Sequence, residues 1–292
     1  MRNIIKTIIL SFAVIFIGCD KDIPYDNCDI IFPGLQMHQS MAFHDDKAVF
    51  VTPVGNNLVC DIYQISTHEF EAQVLLPFTG YSIPHANVSC FGRDRFTSQS
   101  IFPVLYVSSW NNQRQAFVYD ITDRNGVIDS SLIQVIDPNS VSEDIVGGGY
   151  LDWVVDSEGG YLYAIAYHLK GTSRVSEGNY THVTKFTLPP LTQQLVKLND
   201  EDVLDNFSLP VMTVFQDKDY AGGHIYVVAG IPDESGQHPP RLYDINLESK
   251  NLKEYIIPIT GEPEGFCIYA GQKWLNMGGS SKIHNLDKLL NL

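Results

Sequence analysis

"FVYDITD" occupies residues 117–123, and "RLYDINLES" returns at 241–249. Aligned on their shared "YDI", the two find further echoes in "VCDIYQIST" (59–67), "HVTKFTLPP" (182–190) and "KIHNLDK" (282–288). The equivalent positions are Tyr63, Tyr119, Lys185, Tyr243 and His284, spaced 56, 66, 58 and 41 residues apart. A second strand-like run precedes each echo: "AVFVTPVG" (48–55), "VLYVSSWN" (104–111), "YLYAIAYH" (161–168), "HIYVVAGI" (224–231) and "KWLNMGG" (273–279). Ahead of these lies a third run: "SMAFHDD", "NVSCFGRD", "LDWVVDSEGG", "PVMTVFQDKD" and "GFCIYAG". Most units then add a fourth, in "FEAQVLLPF", "SLIQVIDP", "QQLVKLN" (193–199) and "KEYIIPI".

Four short strands repeated five times define the architecture. Propeller blades are four-stranded sheets of roughly 40–50 residues, so these units read as blades with loop insertions. A single four-stranded sheet cannot bury both of its faces. Packing blades face to face around an axis does so, and leaves few exposed edges. The nearly continuous apolar run "YLYAIA" suits a strand buried on both sides. The sequence therefore predicts an all-β chain folded as a five-bladed β-propeller. Six blades are the alternative, with irregular strands hidden in 93–102 and 169–181. A two-layer sandwich is the other, though it would lack the repeated strand order.

The fifth unit ends early, because only "LLNL" follows "KIHNLDK". "CDIIF" (28–32) is a spare strand with no hairpin partner nearby. Residues Cys28–Phe32 are therefore expected to complete the last blade, with residues 28–292 forming one propeller domain. That closure would bring Cys28 near Cys267 and suggests a disulfide between them.

Composition agrees with a globular β-chain: 44% hydrophobic and 18% charged residues, with 15 Tyr and 15 Phe to populate strands. The formal charge is −15, and the two cations Arg2 and Lys6 leave with residues 1–18, taking the mature chain to about −17. Such a field repels phosphate backbones, which argues against nucleic-acid binding. Of five cysteines, Cys28, Cys60, Cys90 and Cys267 lie beyond the leader, and none forms a C-x-x-C pair. Zinc-ribbon and thioredoxin-like readings therefore fail.

The leader "MRNIIKTIILSFAVIFIGC" has a basic start and a short apolar run from about Ile8 to Ile17. Ten residues are too few for a spanning helix, which needs about 20. The pattern is that of a secretory signal. Its end, Ile17-Gly18-Cys19, resembles the lipobox of bacterial lipoproteins. That resemblance implies removal of residues 1–18 and acylation of Cys19, with 19–27 left as an acidic tether. "DKDIPYDNCD" behind Cys19 is similar to the surface-export signal of lipoproteins in the Bacteroides group. It implies display at the outer membrane, on the cell surface.

In a propeller the innermost strands line a central channel, and residues opening each first strand gather at its mouth. Those residues are His38, Gln39 and Ser40; His85 and Asn87; Asp152; Thr213; Glu262 and Glu264. Gln39, His85, Asn87, Asp152, Glu262 and Glu264 are the ligand-binding candidates. Oxygen-rich rings suit Ca²⁺, which singles out Glu264 and Asp152 as metal candidates. "GEPEGFCIY" (261–269) resembles a strand of five-bladed calcium-activated nucleotidase (apyrase) propellers, where a carboxylate helps hold a central calcium. Only Glu264 carries over from that resemblance, as a channel ligand. Three polar turns, "TDRNGVIDSS" (122–131), "DSEGG" (156–160) and "QDKDYAGG" (216–223), read as hairpin connections. Trp110 in "SSWNNQ" and the pair Tyr167-His168 are rim aromatics able to stack on sugar. No H-E-x-x-H, G-x-S-x-G, Walker loop or dinucleotide glycine fingerprint occurs. The sequence points first to an envelope lipoprotein that binds a glycan, peptide or partner protein. The alternatives are a metal-dependent propeller hydrolase and a structural subunit of an outer-membrane complex.

Overall fold

A computed structural model describes residues 29–36, 38–109, 114–147, 150–231 and 238–292. The leader, Cys19, the acidic tether, Cys28 and Trp110 lie outside these residues. The first described strand, β1 (Ile30–Ile31), is followed by blade I: β2 (Ser40–His44), β3 (Lys47–Val54), β4 (Asn57–Gln64) and β5 (Phe70–Leu75). Blade II holds β6 (Ser89–Phe91), β7 (Leu105–Ser108), β8 (Ala116–Arg124) and β9 (Val127–Ser140). Blade III comprises β10 (Tyr150–Asp156), β11 (Tyr161–His168) and β12 (Tyr180–Thr187), and after an excursion through β13 (Leu195–Asn199) it ends with β14 (Val203–Pro210). Blade IV is β15 (Phe215–Ala221), β16 (His224–Ala229), β17 (Arg241–Asn246) and β18 (Asn251–Ile256). Blade V is β19 (Pro263–Tyr269), β20 (Gln272–Met277) and β21 (Lys282–Asn285), completed by β1. The protein is a five-bladed β-propeller.

The core shows why the ring closes. Buried apolar side chains fall into five clusters, each sandwiched between two neighbouring blades. Val49, Val51 and Ile62 of blade I meet Leu105, Val107 and Phe117 of blade II. Cys267 and Trp274 of blade V meet Phe50 and Tyr63 of blade I. An open arc of five sheets would have four such interfaces, so the fifth is the closure itself. Alternate residues of β11 serve opposite sides: Leu162, Ala164 and Ala166 face blade II, while Tyr163, Ile165 and Tyr167 face blade IV. Apolar residues at successive positions are thus the mark of a strand covered on both faces.

The closing strand pairs antiparallel with β21, Ile30 opposite Ile283 and Ile31 opposite Lys282. Two residues make a short ladder, and Phe32 supplies the anchorage. Its ring is fully buried, 5.2 Å from Tyr63 and 5.3 Å from Phe50, both edge-on. The Phe32 N–H donates to the Ser281 carbonyl at 3.0 Å. Asp29 then takes the Lys282 ammonium at 2.6 Å.

Several expectations need correction. The six-bladed alternative fails because 93–102 and 169–179 are loops, tied down by isolated bridges from Ser100 to Thr122 and from Val175 to Thr213, while 180–181 open β12 of blade III. "QQLVKLN" is not the outer strand of blade III. Its residues Leu195–Asn199 run parallel to β9 and add a fifth strand to blade II. Gln134 fixes that excursion, donating its side-chain N–H groups to the carbonyls of Pro190 and Gln193, both at 2.9 Å. "QDKDYAGG", read both as the end of the run "PVMTVFQDKD" and as a hairpin connection, divides: "QDKDYA" belongs to the inner strand of blade IV, as the run implied, and only Gly222–Gly223, both at positive φ, form the turn. Among the described residues Cys60, Cys90 and Cys267 are free thiols, and Cys28, the expected partner of Cys267, lies outside them. The Asn125–Gly126 turn behaves as expected, with φ of 59° and 83°, the mirror-image turn that suits the twist of a hairpin.

Candidate functional site at the channel entrance

The inner strands β2, β6, β10, β15 and β19 are the free edges of the blades, and their outward N–H groups point towards the axis. Unpaired, each would be left without a hydrogen bond in a buried place. Side chains answer them. Asp217 Oδ2 accepts from the N–H groups of Met41 at 3.0 Å and Phe266 at 2.8 Å, tying blades I and V to blade IV. Asp219 Oδ2 accepts from Ile268 at 2.8 Å, and Ser108 Oγ accepts from Trp153 at 2.8 Å. Burial raises the Asp217 carboxyl well above its ordinary range, against the pull of the three N–H groups it accepts and of Lys218.

At the end where the inner strands begin, the predicted candidates come together. Asn87 Nδ2 donates to Asp152 Oδ2 at 3.1 Å and to the Gln216 carbonyl at 3.1 Å. His85 stands beside them, close enough for its ring to feel the Asp152 charge. Burial lowers the His85 pKa, so the imidazole is neutral at neutral pH. Gln216 Nε2 donates to Glu262 Oε1 at 2.6 Å, and Gln39 hydrogen-bonds Glu264. One connected network therefore runs from Asn87 and Asp152 through Gln216 to Glu262, with Gln39 and Glu264 beside it.

Its centre is a residue that sequence reasoning missed. Lys218 is fully buried, and its ammonium donates to Asp152 Oδ2 at 2.5 Å and the Gln216 carbonyl at 2.6 Å. Burial raises the Asp152 pKa, while the Lys218 ammonium and the Asn87 amide oppose that rise. The available signal was the run Gln216-Asp217-Lys218-Asp219 inside a strand pattern. Four polar residues in succession on a strand walled by neighbours mark a polar axis.

Glu264 is a strongly perturbed carboxyl at this mouth. Burial and the neighbouring Glu262 push it up to about 8, and the Gln39 hydrogen bond works against them. Glu262 is raised by burial too, opposed by the positive charge of Arg174 and by Gln216. Gly265 lets His38 close in behind: a Cβ there would lie 2.8 Å from His38 Nε2. His38 is buried against Phe50, and desolvation brings its pKa down to about 4.

Buried polar atoms of the mouth residues without a protein partner include Asn87 Oδ1 and Asp152 Oδ1, which accept, together with His38 Nε2, Ser40 Oγ, Thr213 Oγ1 and Glu264 Oε2; the Glu264 carboxyl, protonated at neutral pH, can also donate. Open oxygens can accept from a hydrogen-bond donor or coordinate a cation, so the fit of a metal is decided by the rest of the donor set. Among the described residues no three His, Cys, Asp or Glu side chains are placed to hold a metal. The ammonium of Lys218 already occupies the cationic position on Asp152. The donor set around Asp152 and Glu264 does not fit Ca²⁺, and no chemistry is derived through one. Of the rim aromatics, Tyr167 is buried, donating its hydroxyl to the Arg174 carbonyl at 2.9 Å, and is no sugar platform. His168 stacks on Tyr180 with ring centroids 4.5 Å apart.

No protein-family profile matches the chain, and no curated protein sequence does. Among solved structures it is similar to an exo-β-1,3-galactanase from Phanerochaete chrysosporium, with 8% identity, a TM-score of 0.48, and coverage of 89% of this chain and 62% of that one. Hydrazine synthase of Kuenenia stuttgartiensis gives 13% identity, a TM-score of 0.43, and coverage of 86% and 65%. A puromycin hydrolase gives 10% identity, a TM-score of 0.39, and coverage of 84% and 36%. The chain thus spans less than two thirds of each of these structures. No activity carries over at these levels of likeness.

Proposed function

We propose that this chain is a lipid-anchored binding propeller, displayed at the outer surface of a bacterial envelope, whose ligand enters at the mouth formed by Gln39, His85, Asn87, Asp152, Glu262 and Glu264. The observation that carries the reading is the set of buried polar atoms without protein partners around an internally neutralised Asp152–Lys218 pair. Such a mouth receives a ligand that brings hydrogen-bond donors for the open oxygens and an acceptor for the protonated Glu264 carboxyl. Sugar hydroxyls and peptide amides are the two common carriers of donors outside a cell, and a glycan or a peptide of a partner protein is the expected ligand. Among the described residues, nothing at the mouth pairs a nucleophile with a base in the way that covalent catalysis requires. A binding role therefore asks less of these residues than a hydrolytic one.

The anchor rests on Ile17-Gly18-Cys19 and the acidic residues that follow. Its geometry favours presentation of the mouth. The described chain runs from Asp29, beside Asn285 at the exit side, to Phe32 and on to Gln39 at the entrance. A lipid on Cys19 would hang the propeller with its entrance turned from the membrane.

Two measurements test the reading. Radioactive palmitate should label the full chain expressed in a Bacteroides host, and Cys19→Ala should abolish the label. An array of immobilised glycans and peptides, probed with purified protein, should yield ligands whose binding falls at least tenfold in Glu264→Gln with no loss of melting temperature. Ligands retained equally by that variant would rule out this mouth.

A further inference from the structure

The inner strands end at the opposite mouth, and a cavity of about 450 Å³ opens there. All five blades contribute to its wall, through residues that include His44, Phe91, Val155, Asp219 and Ile268. None of these was a candidate from the sequence, because they close strands rather than open them. The volume suits a ligand of a few to a dozen heavy atoms.

The charges of the wall are unequal in depth. Arg93 and Glu158 both line the cavity from its exposed rim, and their opposite charges offset each other. Inside, Asp219 is the remaining carboxylate. Its two oxygens each accept one backbone N–H, from Tyr220 and from Ile268, both at 2.8 Å, which fixes its orientation. The thiols of Cys90 in blade II and Cys267 in blade V are both pushed up by burial first and then by the Asp219 charge. Those two blades do not adjoin each other or both adjoin blade IV, so Asp219 projects towards the axis. Among the described residues no cationic side chain bonds it. Around it stand half-buried aromatic groups: His44 and Phe91, with centroids 5.3 Å apart, and Tyr220, stacked on Tyr163 at 6.0 Å. Burial lowers the His44 pKa, which leaves its ring neutral at neutral pH. A carboxylate set among aromatic faces is the chemistry that recognises an organic cation.

We propose that the exit mouth is a second binding site, for small organic ammonium groups, in which Asp219 neutralises the charge and His44, Phe91 and Tyr220 provide the surrounding wall. The site is separate from the entrance and stands whether or not the entrance binds a glycan or peptide. Three probes distinguish its sources: cadaverine for a free amine, choline for a quaternary ammonium, and acetyl-Gly-Lys-Gly-amide for a lysine side chain. Titration calorimetry on the full chain in detergent should show binding of at least one of them, and none of 1,5-pentanediol, the uncharged analogue of cadaverine. Asp219→Asn keeps an acceptor for the Ile268 N–H and should weaken binding at least tenfold. Phe91→Leu, at the wall and outside the N–H pairing, should weaken it severalfold with an unchanged melting temperature. Silence from all three ammonium probes, equal binding of the diol, or full binding by Asp219→Asn would overturn the proposal.

Discussion

Burying the Lys218 ammonium strips it of water, and the Asp152 carboxylate, the Gln216 carbonyl and the face of Phe215 at 5.4 Å stand in for that hydration. Removing one member of such a pair leaves the other charged, dry and alone, which costs about 3–5 kcal/mol. Lys218→Met should lower unfolding stability by that order in urea titrations. The double variant Lys218→Met with Asp152→Leu should recover much of it, since no orphan charge remains. Glu264 makes a different statement, about pH. The folded chain holds its proton up to about 8, whereas the unfolded carboxyl releases it near 4.5. Folding takes up a proton between those values, so this contribution to stability is complete below pH 4.5 and lost as pH rises towards 8. Asp219, pushed up to about 6 by burial against the Ile268 and Tyr220 hydrogen bonds, acts in the same sense over a lower window. His38 opposes both: buried neutral with a pKa of about 4 instead of 6.5, it loses stability as pH falls through that interval. Glu264→Gln should therefore melt progressively higher than the parent protein as pH rises from 5 to 8.5, as read by scanning calorimetry. At this scale the sequence was informative wherever a residue opened an inner strand, as Asn87, Asp152 and Glu264 do. Lys218 and Gln216 escaped because "QDKD", although it ends the run "PVMTVFQDKD", also has with "YAGG" the composition of an exposed turn, and only the neighbouring blades bury it.

At the scale of elements, the closing strand is two residues long and carries little ladder energy of its own. The edge-on cluster of Phe32 with Phe43, Phe50 and Tyr63 holds it in place. Phe32→Ala should destabilise the protein by about 3–5 kcal/mol, the usual range for emptying a buried aromatic site. Calorimetry would check it, and a loss below 1 kcal/mol would mean that the closure is not held there. The strands themselves were legible because both faces of each blade are buried, so apolar residues at successive positions alternate between neighbours, as in "YLYAIA". The excursion of Leu195–Asn199 was not legible. "QQLVKLN" has the length and pattern of a fourth strand, and nothing local records that Gln134, some sixty residues earlier, captures the preceding loop. Outer strands are the least constrained elements of a blade, exposed on one edge, and there local pattern decides least.

For the whole molecule, the ring makes two mouths from one set of strands. Residues opening the inner strands build the entrance network, and residues ending them build the exit cavity. Both depend on the blades meeting around a common axis, which Asp217 secures by accepting N–H groups from blades I and V at once. Reading five repeats was enough to foresee the axis, because five sheets with two sticky faces can satisfy all of them only by closing. The polarity of the axis was foreseen only at its entrance. Amide hydrogen exchange on the full chain tests the closed ring most directly. The amides of Met41, Phe266, Ile268 and Trp153 are free inner-edge groups in an isolated blade, and here they donate to Asp217, Asp219 and Ser108. They should exchange at the rate of global unfolding, together with the central strands of their blades. Fast exchange at these four positions, with the blade interiors still protected, would contradict a ring closed about a polar axis.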